Sequence, residues 1–332
     1  MNKKEWLKCQ NSFTKNGKSW PTLTIILFDL LTMAAGLYLT KKGGFFSVVA
    51  VFFFVIVFLH AYLLLHEATH CSISHSKLLN GLCGHICGWL ILIPFLTRQR
   101  SHLLHHVWAG HPENDPVNKA IIRYFSDMDD EKRVKTEKIW RSWLPLFTLS
   151  DRIRLWRETI QNKSIDSTGE KQQKNSKFIY CYGMSYIFIG VILFKFNFFL
   201  NFIMVYFVAI FILFFFEELV NMPHHARTPL LSFSDKALPY WHQCKIAHSC
   251  RRIPIWSYFF ILNFNYHSAH HVFPKAPWYR LPLLHKKLLT YMPDLNDEQK
   301  KDEVTWALSN RKQSLCSIMK NYVDVADTLK PE

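Results

Sequence analysis

Three groups of histidines carry the chemistry this chain can do: His66-Glu67-Ala68-Thr69-His70, His102-Leu103-Leu104-His105-His106 and His267-Ser268-Ala269-His270-His271. In a helix, residues three and four apart share a face, so each group turns its imidazoles in one direction. The second and third groups share the pattern His-x-x-His-His, which argues for a polynuclear metal centre. Imidazole suits iron, copper, zinc and nickel. The eight imidazoles exceed what one ion of ordinary coordination number accepts. Zinc normally takes four ligands. Two ions of higher coordination number sharing the set favour iron. Neutral ligands leave the cations' charge uncompensated, so nearby carboxylates should orient and polarise the rings. Glu67, Glu113, Asp115, Glu217 and Glu218 are the candidates. His66-Glu67-x-x-His70 also matches the HExxH signature of zinc proteases, which leaves the other two groups without a purpose.

The elements that must position these rings are membrane helices. The chain has 332 residues, of which 49% are hydrophobic; Phe contributes 28 and Gly only 11. That balance fits helices with lipid-facing aromatics better than a soluble α/β enzyme. Apolar runs at 21–40, 45–65, 178–194 and 198–216 are each long enough to cross a hydrocarbon core of roughly 30 Å. Lys41-Lys42-Gly43-Gly44 and Lys195-Phe196-Asn197 are short connections, so the four spans form two helical hairpins. The expected fold is an all-α membrane protein with a helical cap, 66–177 and 217–332, carrying the metal centre within one domain, 1–332.

This topology puts all three groups on one side, because two crossings separate the second group from the third. The net charge of +15 raises nucleic acid as a partner. The Lys and Arg residues concentrate between the apolar runs, however, as membrane-surface segments require, so no nucleic acid is expected. Their bias places the cap and the histidines in the cytoplasm. Residues 82–96 are too short to span and read as a half-buried or surface segment. The mix of Trp, Leu and Arg over 139–157 suits a helix in the headgroup region. Residues 162–177 read as a loose polar loop. Asp29 and His60 lie inside spans and read as polar residues bonded within the bundle. The eight cysteines include no CxxC pair and read as small buried residues in a reducing compartment. The polar first twenty residues do not resemble a cleaved signal peptide.

The three groups together resemble the signature of the membrane fatty acid desaturase superfamily. The resemblance extends to His111-Pro112-Glu113-Asn114-Asp115-Pro116 after the second group. It includes Asn265-Tyr266-His267-Ser268-Ala269-His270-His271-Val272-Phe273-Pro274, and Trp278-Tyr279-Arg280-Leu281-Pro282 beyond it. It covers roughly 20–290. It implies a di-iron centre that activates O2 and removes hydrogen from unactivated C–H bonds of a lipid chain. His66, His70, His102, His105, His106, His267, His270 and His271 are then iron ligands, with Glu67 and Asp115 orienting them. Asn221-Met222-Pro223-His224-His225 resembles the family's further ligand pair, making His225 a ninth nitrogen ligand and Asn221 a water-mediated contact. Other reactions of the same fold are lipid hydroxylation and carotenoid hydroxylation or ketolation. A metal-ion transporter is a reading of another class, but it expects ligands inside the spans. The chain shows neither a His-Pro-Gly-Gly haem motif nor a cysteine set for an iron–sulfur cluster. Electrons are expected from an external ferredoxin or cytochrome b5 type donor with its reductase.

Overall fold

The computed structural model describes residues 1–15, 19–161, 176–293, 295 and 300–329, and it is helical. The helices are α1 (Lys3–Lys15), α2 (Trp20–Lys42), α3 (Phe45–Thr69), α4 (Lys77–Leu90), α5 (Phe95–Trp108), α6 (Pro116–Ser126), α7 (Asp130–Arg141) and α8 (Leu146–Ile160). There follow α9 (Ser176–Lys195), α10 (Phe199–His225), α11 (His267–Val272), α12 (Leu281–Tyr291), α13 (Glu303–Asn310), α14 (Leu315–Ile318) and α15 (Lys320–Asp327). The chain divides into two compact units. The first comprises Met1–Gly17, Arg100–Leu146 and Glu218–Glu332; the second comprises Lys18–Gln99 and Phe147–Glu217.

The second unit holds the apolar helices. Among the described residues, α2, α3, α9 from Phe178 and α10 are each long and apolar enough to cross a membrane. Met184, Ile187, Phe188 and Val191 are exposed on α9 and form an apolar face of the kind that lipid covers. Two glycines end the first crossing. Gly43 and Gly44 both have positive φ, and the Gly43 N–H bonds back to the Leu39 and Thr40 carbonyls. That left-handed turn favours glycine because it has no Cβ. Asp29 and His60 meet inside the pair α2 and α3, with His60 Nδ1 2.7 Å from Asp29 Oδ1.

The expected segment 82–96 is α4 followed by a sharp break, after which α5 departs at 109°. Leu78, Leu79, Leu82 and Ile86 are exposed on α4, while Asn80, Gly84, Cys87 and Gly88 are buried. The break brings the backbone of Ile93 against Gly88, where a Cβ would sit 2.5 Å from the Ile93 carbonyl oxygen. The last carbonyls of a helix lack intrahelical partners. Here Tyr186 Oη donates to the Trp89 carbonyl and Tyr206 Oη to that of Leu90.

Several expectations need correction. Residues 139–157 do not form one surface helix. α7 stops at Arg141, Trp143 has φ of 65°, and Pro145 precedes α8. Proline has no N–H to donate and forces the residue before it out of helical geometry. Trp140 is fully buried, with the Arg311 guanidinium 3.7 Å from its ring and its Nε1 donating to the Gln313 carbonyl. The cysteines are free, as expected, but Cys71 and Cys181 are exposed. The polar loop expected at 162–177 lies outside the described residues up to 175; α9 begins at Ser176. α3 and α10 run past 65 and 216 to Thr69 and His225, so helix carries His66 and the 221–225 segment, with His70 as the C-cap of α3.

Candidate metal centre

The first unit gathers seven of the nine expected ligands. His102, His105 and His106 lie in the last two turns of α5. His267, His270 and His271 make up half of the six-residue α11, and His225 ends α10. His102, His106 and His270 each offer one nitrogen, all within 4.8 Å of one another. His106 Nε2 is 3.2 Å from His102 Nε2 and 3.0 Å from His270 Nε2. His105, His225 and His271 form a second set within the same limit. His267 Nε2 joins it, 2.9 Å from His225 Nε2 and 3.1 Å from His271 Nε2. The sets adjoin, with the rings of His106 and His271 4.4 Å apart.

Two neighbours fix which nitrogen of a ring faces the cluster. The fully buried Asp115 N-caps α6, its Oδ1 accepting from the Val117 and Asn118 N–H groups. Its Oδ2 accepts from His105 Nδ1 at 2.8 Å. A neutral imidazole has one N–H and one lone pair, so His105 Nε2 carries the lone pair. Gln243 acts similarly on His271. Its Oε1 lies 3.3 Å from His271 Nδ1, and its Nε2 donates to the His106 carbonyl at 2.7 Å. Gln243 sits in a short helical turn with no pattern that relates it to the histidines, so no sequence signal marks it.

The donor chemistry fits cations. Nε2 atoms approach in pairs at 2.9–3.2 Å, all but the His225–His267 pair fully buried. Lone pairs aimed at one another repel unless something positive lies between them. Burial, reinforced by the neighbouring imidazoles, pushes the His267 pKa well below its ordinary value. The ring is therefore neutral, the form that ligates metals.

His66 and His70 belong to the second unit, at the end of α3. Both are buried, with ring centroids 5.1 Å apart. Glu67 is also buried, and Ser72 Oγ donates to its Oε2 at 2.8 Å. Asn221 is partly buried one turn before His225. Other expected carboxylates are committed elsewhere. Glu217 takes Arg152 at 2.6 Å in the second unit, and Glu218 takes Arg311 at 2.6 Å in the first. Glu113 is exposed beside Lys119. His111 is buried and accepts the N–H groups of Glu113 and Asn114 at Nδ1, shaping the loop that delivers Asp115; His75 is exposed.

A family model described as fatty acid desaturase matches residues 44–301. The chain is 33% identical over 92 residues to the Delta(12) fatty acid desaturase fat-2 of Caenorhabditis elegans, covering 25% of this chain and 23% of the relative. It is 37% identical over 67 residues to an endoplasmic reticulum omega-3 fatty acid desaturase of Vigna radiata var. radiata, covering 19% and 18%. It is 33% identical over 95 residues to the chloroplastic sn-2 acyl-lipid omega-3 desaturase (ferredoxin) of Arabidopsis thaliana, covering 27% and 20%. The chain thus spans less than a quarter of the length of these curated relatives.

Proposed function

The chain belongs to the fatty acid desaturase family, and on that premise we propose that it is a multi-pass membrane oxidoreductase that desaturates a fatty acyl chain at a pair of iron ions. The two adjoining sets of buried imidazole nitrogens in the first unit carry the proposal. His102, His106 and His270 would hold one ion; His105, His225, His267 and His271 would hold the other. His66 and His70, the first of the three family boxes, complete the ligand set. Asp115 and Gln243 lock ring orientation, and Asn221 places an ordered water.

Bound iron would supply the chemistry: O2 is reduced to two waters with two hydrogen atoms (two electrons and two protons in all) from the acyl chain and two electrons and two protons from outside. The protein's part is to hold neutral imidazoles in place, exclude water and admit the acyl chain. The four spans form two hairpins in this proposal, with the histidines on the cytoplasmic side. The external donor is of ferredoxin or cytochrome b5 type. It docks on the basic cytoplasmic face, so turnover should fall as salt rises.

Lipid profiling of an expressing host tests the proposal. A new unsaturated acyl species should appear with the wild type and vanish with His270→Ala. A hydroxylated lipid or an altered pigment would move the reaction elsewhere within the fold. Purified chain that holds no iron would sink the proposal altogether.

A further inference from the structure

A third group of buried donors stands apart from the imidazole sets. His224, Cys250 and Glu303 each offer one ligand atom, all within 4.8 Å of one another. They come from three segments of the first unit: the end of α10, an extended stretch before residue 253, and the first residue of α13. Backbone bonds hold these segments together, from His248 N to the His224 carbonyl and from Arg251 N to that of Lys301.

The polar atoms of this pocket are poorly satisfied. His224 is 0% exposed, and neither of its ring nitrogens has a hydrogen-bond partner. Glu303 is also 0% exposed. Its Oε2 accepts from Trp256 Nε1 at 3.1 Å, while Oε1 points at His224 Nε2 from 3.9 Å without a bond. Leaving such groups buried and unpaired destabilises the fold, because they forfeit water without gaining a partner. Burial also raises the Glu303 carboxyl to about 7 and lifts the Cys250 thiol well above its usual range. A dication would satisfy His224 Nε2, Cys250 Sγ and Glu303 Oε1 together.

We propose that His224 Nε2, Cys250 Sγ and Glu303 Oε1 form a second, mononuclear site for a thiophilic divalent cation, with zinc the best fit. Tetrahedral zinc with bonds of about 2.0–2.3 Å places its donor atoms roughly 3.4–3.6 Å apart. The 3.9 Å between His224 and Glu303 needs only a small contraction. The donor set also differs in kind from the imidazole centre. One thiolate and one carboxylate neutralise a dication, and sulfur selects zinc over the harder ions that oxygen prefers. Binding expels the thiol proton, and the carboxyl proton where present, to solvent. Bound there, the cation would pin α10, the 246–251 stretch and α13 beside His267, whose ring stacks on His224 at 4.7 Å.

Metal analysis of the full-length protein purified from membranes and exposed to zinc tests this. About one zinc per chain should be retained in addition to any iron. Zinc should fall to background in Cys250→Ala and in Glu303→Gln, with iron kept. Should either variant fail to insert, Co2+ added to the wild type gives an independent reading. A thiolate-to-cobalt absorption in the near ultraviolet should appear and be displaced by zinc. Wild-type protein that keeps no zinc and shows no such band overturns the proposal, as does a band that survives in Cys250→Ala. Iron without zinc would sink this site alone. Zinc without iron would sink the proposed desaturase and leave this site standing.

Discussion

Two buried histidine–carboxylate pairs have nearly the same local geometry and different surroundings. In the second unit, His60 Nδ1 lies 2.7 Å from Asp29 Oδ1, between two helices long enough to span a membrane. In the first unit, His105 Nδ1 lies 2.8 Å from Asp115 Oδ2. The ring of His60 packs edge-on to Phe28. The ring of His105 instead meets His102, His106, His225 and His271 at centroid distances of 5.0–5.8 Å. A carboxylate beside an imidazole therefore fixes a tautomer wherever it occurs. Whether the opposite nitrogen serves a metal depends on what other rings it finds.

The largest expected contrast comes from removing the rings. His105→Ala, His225→Ala or His270→Ala should bring desaturation to background and release iron, while the protein still inserts. Fatty acid profiles of the host and iron content of the purified protein measure both effects. His60→Ala should keep its iron and lose stability alone. Iron loss from His60→Ala equal to that from His105→Ala would erase the distinction between the two pairs. Next comes Asp115→Asn. An amide can still cap α6 but no longer enforces the His105 tautomer, so iron affinity should fall about 10–100-fold. A chelator competition series reads this directly, and an unchanged affinity would leave Asp115 with capping alone.

Gln243→Ala should act in the same direction by a smaller amount. Its contact with His271 is longer, at 3.3 Å, and involves no charge. Iron affinity should drop by about 10-fold, the low end of the range for such orienting partners. An effect larger than that of Asp115→Asn would show that the bond from Gln243 to the His106 carbonyl matters more than the one to His271.

These residues were unequally legible in the sequence. The histidine groups announced themselves because helical spacing puts ligands on one face, and α5 and α11 do carry them. The apolar runs were legible because a span must be continuously apolar, although their ends were not. Leu65-His66-Glu67-Ala68-Thr69 continues as helix after the apolar signal stops. Asp115 could be named because a carboxylate close to the second group is suited to orient a ligating imidazole. Gln243 could not, and neither could the convergence of His224, Cys250 and Glu303. Such contacts depend on how distant segments pack, which local periodicity does not encode. Glu217 and Glu218 show the same limit: two adjacent acids look alike in sequence, but each pairs with a different buried arginine.

The smallest expected effect belongs to Asp29→Asn. Asparagine keeps an acceptor oxygen at the position of Oδ1, so the bond from His60 Nδ1 can be retained in neutral form. Hydrogen bonds to charged groups contribute about 1.5–3 kcal/mol and neutral ones about 0.5–1.5 kcal/mol. The difference, about 1 kcal/mol, should appear as a modest drop in thermal stability in detergent. Asp29→Ala should cost more, because it leaves the fully buried His60 facing a gap where its partner stood. Neither change should alter iron content or the acyl products, since the pair sits between two apolar helices of the second unit. A fall in iron affinity with Asp29→Asn comparable to that from Asp115→Asn would mean that the two pairs serve one centre after all, and that burial inside the spans had disguised a functional residue as a structural one.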